Sequence, residues 1–270
     1  MTMPFAEVIG DPIAQSKSPV IHRFWMESLG IEADYRRRHV LPADLGDYIR
    51  AAAGDPGWRG CNVTLPHKIA VMPFVTDPGD VESSIGAMNT ILRQPDGQLI
   101  GTNTDAAGFA APLAAIDLTG VPVAVIGAGG AARAVLFALS KLGVGPVTLY
   151  NRTPLKAAAL LAHFGLKGDV KPIGAPLPPV ALLVNASALG MAGQPPLAVD
   201  LAPLPEGALV YDIVYAPLET PLLAQAHEQG LETIDGLEML IGQAALAFEL
   251  FFGIAPPRDR DEALRALLTV

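Results

Sequence analysis

Residues Val121–Thr153 read VPVAVIGAGGAARAVLFALSKLGVGPVTLYNRT. The apolar run Val121–Ile126 suits a strand buried on both faces. Gly127, Ala128, Gly129 and Gly130 then impose a tight turn, where missing Cβ atoms admit positive φ and close backbone approach. Beyond the turn, Ala131, Ala134, Val135, Ala138, Leu139 and Leu142 fall on one helical face. Gly143 and Gly145 end that helix. Val147–Tyr150 forms a second strand, with Asn151, Arg152 and Thr153 at its carboxyl end. Strand, glycine turn, helix and strand make the βαβ unit of a dinucleotide-binding domain, which seats a pyrophosphate on the helix N-terminus. The pattern of Gly127, Gly129 and Ala132 by itself also fits an ordinary strand-to-helix turn; the flanking elements are what favour a nucleotide.

Working outward, 270 residues provide for one large or two modest domains. The net charge of −9 argues against non-specific binding to nucleic acid or anionic membrane. The single cysteine, Cys61, excludes an intrachain disulfide, fits a reducing compartment and reads as a small buried hydrophobe. The N-terminus lacks the basic start and apolar core of a signal peptide, and no apolar run is long enough to span a bilayer. A soluble cytoplasmic protein is expected.

Before the central unit, Phe5–Ile9 reads as a strand. Ser16-Lys17-Ser18-Pro19 follows, with Ser18 as the expected N-cap and Pro19 at the first helical position. Two hydroxyls at a helix N-terminus also suit a carboxylate. Tyr35–Val40 reads as a strand whose Arg36, Arg37 and Arg38 form a solvated edge. Gly60–Leu65 is a third strand, and it brings Asn62, Thr64 and Lys68 toward a carboxyl end, where open α/β sheets bind ligands. His67 reads as structural. Gly86–Thr90 and Gly101–Asp105 place small polar residues beside strand ends, and Asp105 alone reads as a cap for a helix starting near Ala106. After the central unit come a helix over Leu155–Phe164, strands over Val180–Asn185 and Leu209–Val214, and a helix over Pro221–Gln229. A long helix from Gly236 to about Phe252 and a final one over Asp259–Leu268 complete the chain.

Taken together, these clusters resemble the shikimate dehydrogenase family along nearly the whole chain. Its motifs appear as Ser16-Lys17-Ser18-Pro19, Asn62-Val63-Thr64-Leu65-Pro66-His67-Lys68, Gly86–Thr90, Asn103–Asp105, Gly127–Ala131, Asn151–Thr153, Asp212–Pro217 and Gly236–Ala244, in that order. One departure is visible. The family commonly has N-A-T-S, whereas Asn185-Ala186-Ser187-Ala188 keeps one hydroxyl and lacks the next. The resemblance implies two α/β domains: a substrate domain over 1–104, a Rossmann-type NADP domain over 105–235, and C-terminal helices over 236–270 returning to the first. It implies reversible reduction of 3-dehydroshikimate by NADPH, in a monomer or homodimer. Ser16 and Ser18, helped by Tyr215, would hold the substrate carboxylate. Thr64, Asn89, Asp105 and Gln243 would bind ring hydroxyls, and Lys68 with Asp105 would form the catalytic pair. Gly127, Ala128, Gly129, Gly130 and Ala131 would line the cofactor turn, with Ser187, Gly236 and Met239 by the nicotinamide.

Elementary chemistry agrees with that assignment. A carboxylate bearing several hydroxyls needs anion donors and many neutral hydrogen-bonding groups. Hydride addition to a ketone builds negative charge on oxygen, which a donor must stabilise and protonate. A lysine held by an aspartate does so without a metal, and no cluster with zinc spacing occurs. Cofactor choice is also legible. An NAD site places an acid about 20 residues after the glycine turn, but Leu118 through Gly168 contains no Asp or Glu. Asn151, Arg152, Thr153 and Lys156 stand there instead, donors suited to a 2′-phosphate. The alternatives are an NAD-using quinate/shikimate dehydrogenase and a non-catalytic metabolite-binding relative.

Overall fold

A computed structural model describes residues Thr2–Thr269. The chain divides into two units, residues 1–104 with 241–270, and residues 105–240.

The first unit contains β1 (Phe5–Gly10), α1 (Ser18–Leu29), β2 (Asp34–His39), α2 (Leu45–Ala53), β3 (Trp58–Val63), α3 (His67–Ala70), α4 (Val81–Ser84), β4 (Thr90–Arg93) and β5 (Leu99–Thr102). The strands form a five-stranded sheet in the order β2-β1-β3-β4-β5. β1 pairs in parallel with β2 and β3, while β3–β4 and β4–β5 are antiparallel. Strand order therefore reverses between β1 and β3, so the loops leaving these two strands flank one crevice. They are tied together: Asp11 N–H donates to Leu65 O at 2.9 Å and Thr64 N–H to Ile9 O at 3.0 Å. Trp25, Trp58, Tyr35, Ile9 and Ile91 are fully buried around the sheet.

The second unit contains α5 (Asp105–Ala110), β6 (Val123–Ile126), α6 (Gly130–Lys141), β7 (Val147–Tyr150), α7 (Pro154–His163), β8 (Gly168–Lys171), β9 (Leu182–Asn185), β10 (Leu209–Asp212), α8 (Pro221–Glu228) and β11 (Glu232–Ile234). Its six-stranded sheet has the order β11-β10-β9-β6-β7-β8, and every pairing is parallel. β6 and β9 are buried at every position, as expected of strands covered on both faces. The switch in strand order lies between them, with the glycine turn after β6 on one side of it. Helix α6 buries Ala132 and Leu136 as well as the expected Ala134, Val135, Ala138 and Leu139; Ala131 and Leu142 are only half-buried.

Helix α9 (Gly236–Phe252) crosses the division of the chain, which falls between Leu240 and Ile241 and not at its Gly236 start. The last helix, α10 (Asp261–Leu268), is preceded by a single 3-10 turn over Arg258–Arg260, so the expected helix begins two residues later. Strand β8 and helix α2 were not expected from the sequence, and β4 and β5 were expected only as strand ends beside Gly86–Thr90 and Gly101–Asp105. Strands β4, β5 and β8 are four residues each, with half of β8 exposed, and none carries a clean period of two.

Candidate active site

The first unit gathers its polar side chains at the carboxyl edge of β1 and β3. Ser16 and Ser18 are each 5% exposed. Ser18 is the first residue of α1, not its cap; Lys17 occupies the N-cap position and no side chain caps the helix. The Ser18 N–H instead donates to Ser16 Oγ at 3.3 Å. Two hydroxyls are thus buried together at a helix N-terminus, an arrangement that suits an anion. The arginines of β2 are not simply a solvated edge. Arg37 Nε donates to Ser16 O at 2.7 Å, Arg36 pairs with Asp34, and Arg38 pairs with the buried Glu7.

Thr64 and Lys68 follow β3 and are half-buried. His67 is buried, with Nε2 2.7 Å from Val40 O, so its role is structural. Met88 N–H donates to Lys68 O at 2.8 Å, which fixes the lysine's backbone next to Asn89. Asn89 is 2% exposed and heads a closed network. Its Oδ1 accepts from Thr104 N–H at 2.7 Å and from Thr90 Oγ1 at 3.1 Å. Its Nδ2 donates to Thr104 Oγ1 at 2.9 Å and to Gln243 Oε1 at 3.3 Å. A backbone N–H can only donate, so the orientation of the Asn89 amide follows, and the Gln243 carbonyl is turned toward Asn89. Behind them Asn62 donates to Thr90 Oγ1 at 3.0 Å and accepts from Tyr35 at 2.5 Å. Sequence reasoning singled out Asn62 only by position and did not find Tyr35, Thr90 or Thr104 as supports. Burial of a polar residue is the missing signal, and it is not a one-dimensional property.

In the second unit Asp105 is buried and is itself the first residue of α5, where it was expected to precede the helix. It follows Thr104 in the chain. In the turn after β6, Gly127 adopts φ 112°, and a Cβ there would lie 2.7 Å from Ala186 O. The turn is consequently pressed against the loop that follows β9. A Cβ on Gly129 would meet nothing within 4 Å, and Gly130 opens α6 without a side-chain cap. Ala128 is buried and Ala131 half-buried in the same turn. These observations fit a pyrophosphate, which needs open approach to a glycine and uncommitted amides at a helix start.

Asn151 is half-buried and donates from Nδ2 to Thr153 O at 3.0 Å, so part of its amide shapes the turn. Arg152, Thr153 and Lys156 are exposed. Thr153 occupies the N-cap position of α7, but its side chain makes no cap bond. No acid lies within this turn, which fits a 2′-phosphate. Ser187 is half-buried, its Oγ donating to Asn185 Oδ1 at 2.7 Å. Tyr215 is half-buried, and Gly236 and Met239 are buried at the start of α9. Among the described residues, no group of three or more His, Cys, Asp or Glu could hold a metal ion, and no helix is long and apolar enough to cross a membrane.

Comparison with known proteins is consistent across the chain. Residues 8–91 match the profile of the shikimate dehydrogenase substrate binding domain, and residues 236–264 match that of the shikimate 5'-dehydrogenase C-terminal domain. A shikimate dehydrogenase (NADP(+)) of Sphingopyxis alaskensis is 69% identical over 98% of this chain and 97% of its own length. The crystal structure of shikimate 5-dehydrogenase from Thermus thermophilus in complex with NADP(H) and shikimate superposes with a TM-score of 0.86 at 39% identity, covering 98% of this chain and 99% of that one. A quinate dehydrogenase from Corynebacterium glutamicum in complex with NAD gives a TM-score of 0.85 at 30% identity, covering 98% of this chain and 99% of that one.

Proposed function

The chain belongs to the shikimate dehydrogenase family, and on that premise we propose a residue-level mechanism for its reaction. The protein is an NADP-dependent oxidoreductase that interconverts 3-dehydroshikimate and shikimate, a step of aromatic amino-acid biosynthesis. Residues 1–104 with the C-terminal helices serve the substrate, and residues 105–235 serve NADP. The single buried cysteine fits a cytoplasmic enzyme.

Ser16 and Ser18 at the start of α1, with Tyr215, take the substrate carboxylate. Thr64, Asn89, Asp105 and Gln243 take the ring hydroxyls. Bound NADPH supplies the hydride. As negative charge develops on the carbonyl oxygen, Lys68 stabilises it and delivers the proton; in the reverse direction Lys68 accepts the proton from the hydroxyl. Asp105 is the partner of Lys68 in the catalytic pair. Gly127, Ala128, Gly129, Gly130 and Ala131 cradle the pyrophosphate at α6, and Arg152 and Lys156, with Asn151 and Thr153, receive the 2′-phosphate. Ser187, Gly236 and Met239 border the nicotinamide.

The observation that carries this reading is the buried neutral cluster of Asn89, Thr104 and Gln243, oriented by its own hydrogen bonds. Such a cluster discriminates a polyol by its hydroxyls, since an analogue lacking one leaves a buried partner unpaired. The test is an assay of reduced nicotinamide absorbance, crossing shikimate and quinate with NADP and NAD. We expect at least about tenfold higher kcat/KM with NADP than with NAD, or ~1.4 kcal/mol. Arg152→Ala should close most of that gap by weakening NADP alone. Equal or better turnover with NAD would instead favour the quinate/shikimate alternative.

A further inference from the structure

Asp212 ends β10 with its side chain fully buried, and none of its hydrogen-bond partners is a cation. Three neutral donors from three chain segments converge on it. Asn185 Nδ2, at the end of β9, reaches Oδ1 at 2.9 Å. Val214 N–H, leading into Tyr215, reaches the same oxygen at 3.0 Å. Thr220 Oγ1, at the N-cap of α8, reaches Oδ2 at 2.7 Å. Burying a carboxylate is costly unless its oxygens are satisfied, and burial does push Asp212 up to about 6.

The directions of these bonds explain why an acid stands there. Thr220 Oγ1 accepts from Leu223 N–H at 3.2 Å, and its proton goes to Asp212. Asn185 donates to both Asp212 and Leu189 O, which turns its own carbonyl toward Ser187. That carbonyl accepts from Ser187 N–H at 3.1 Å and Ser187 Oγ at 2.7 Å. Only an acceptor-only group satisfies all three donors; an asparagine at 212 would present an N–H₂ to one of them. The far side of the Val214 segment is also fixed, because a Cβ on Gly236 would lie 2.4 Å from Val214 O. Asp212 thus sets the N–H side of the segment that carries Tyr215, and through Asn185 it sets the hydroxyl of Ser187.

We propose that Asp212 is a positioning residue for hydride transfer, holding Ser187 and the Val214–Tyr215 segment in the arrangement that aligns nicotinamide and substrate. This rests on the roles given to Ser187 and Tyr215 above. A misplacement of about 1 Å between reacting groups can cost up to about 10²-fold in rate, so Asp212→Asn should lower kcat for shikimate oxidation by about tenfold or more. It should raise KM for shikimate severalfold. Adenosine 2′,5′-bisphosphate, a probe of the Arg152 end alone, should bind within about twofold of wild type by calorimetry. Thr220→Val should shift kcat in the same direction, and Thr220→Ser, which keeps the hydroxyl, should restore most of it. Unchanged kcat and KM in Asp212→Asn would overturn the proposal. So would loss of bisphosphate binding in step with kcat, because Asp212 would then be supporting the whole unit. A wild-type protein inactive with shikimate and NADP would instead sink the underlying reading, and this proposal with it.

Discussion

Lys68 lies in the first turn of α3, half-buried, with its carbonyl tied to Met88 one residue before Asn89. Asp105 follows Thr104, whose N–H is held by Asn89 Oδ1. The Met88–Asn89 segment therefore holds the Lys68 backbone through the Met88 N–H, and the backbone at Thr104, next to Asp105, through the Asn89 amide. Lys68→Ala should lower kcat by about 10²–10⁴-fold, the usual worth of a positioned proton donor. KM for shikimate should move far less, because the lost interaction belongs to the transition state. Steady-state kinetics on a variant with an unchanged melting profile checks this, and near-normal kcat would remove Lys68 from the mechanism. The same scale corrects the reading of Arg37. Its guanidinium holds Ser16 O at 2.7 Å, so a charge that looks solvated in sequence braces the proposed carboxylate loop.

At the scale of elements, the turn between β6 and α6 separates two demands on glycine. Gly127 is required by the fold, since φ 112° and a Cβ 2.7 Å from Ala186 O both exclude a side chain. Gly129 is required only by a ligand, since nothing in the protein lies within 4 Å of its Cβ position. Gly127→Ala should destabilise the second unit by about 1–3 kcal/mol. Gly129→Ala should leave stability within about 0.5 kcal/mol and still weaken NADP binding. Thermal unfolding with and without NADP distinguishes them; unaltered NADP affinity in Gly129→Ala would mean that no pyrophosphate approaches there.

For the molecule as a whole, two buried ionisable groups bear on stability against pH in opposite senses. His22 is fully buried, stacked on Tyr35 at 3.8 Å, and neither ring nitrogen has a hydrogen-bond partner among the described residues. Burial lowers it from 6.5 to about 3. Between those values the unfolded chain binds a proton that the folded chain refuses, so stability falls as pH falls, by ~1.4 kcal/mol per pH unit. Asp212, raised from 3.8 to about 6, works the other way: the folded chain binds its proton first, and the cost of its burial is relieved below about 6. The two slopes oppose each other between these limits. Comparing His22→Phe with wild type isolates one of them. The variant should gain about 2–3 kcal/mol relative to wild type between pH 7.5 and pH 4.5. Urea midpoints at the two pH values measure this, and a difference that does not change with pH would show that His22 is protonated in the fold.

Much of the site was legible in one dimension, because its chemistry depends on residue type and short spacing. A glycine turn between an apolar strand and an amphipathic helix is a local pattern, and so is the absence of any acid from Leu118 through Gly168. Hydroxyls before Pro19 and the lysine after β3 are likewise read from neighbours in the chain. The sequence by itself also determined the order of most strands and helices, since each follows from the period of its apolar residues. Tertiary structure alone decided which distant groups meet. Ser18 entered α1 instead of capping it. Strands β4 and β5 closed the first sheet antiparallel and carried Thr90 to Asn62 and Thr104 to Asn89. Asp212 met Asn185 across two paired strands. Those partners are separated by many residues and share no pattern. Their pairing follows from sheet register and from the cost of leaving a buried polar group unsatisfied, neither of which exists until the chain has folded.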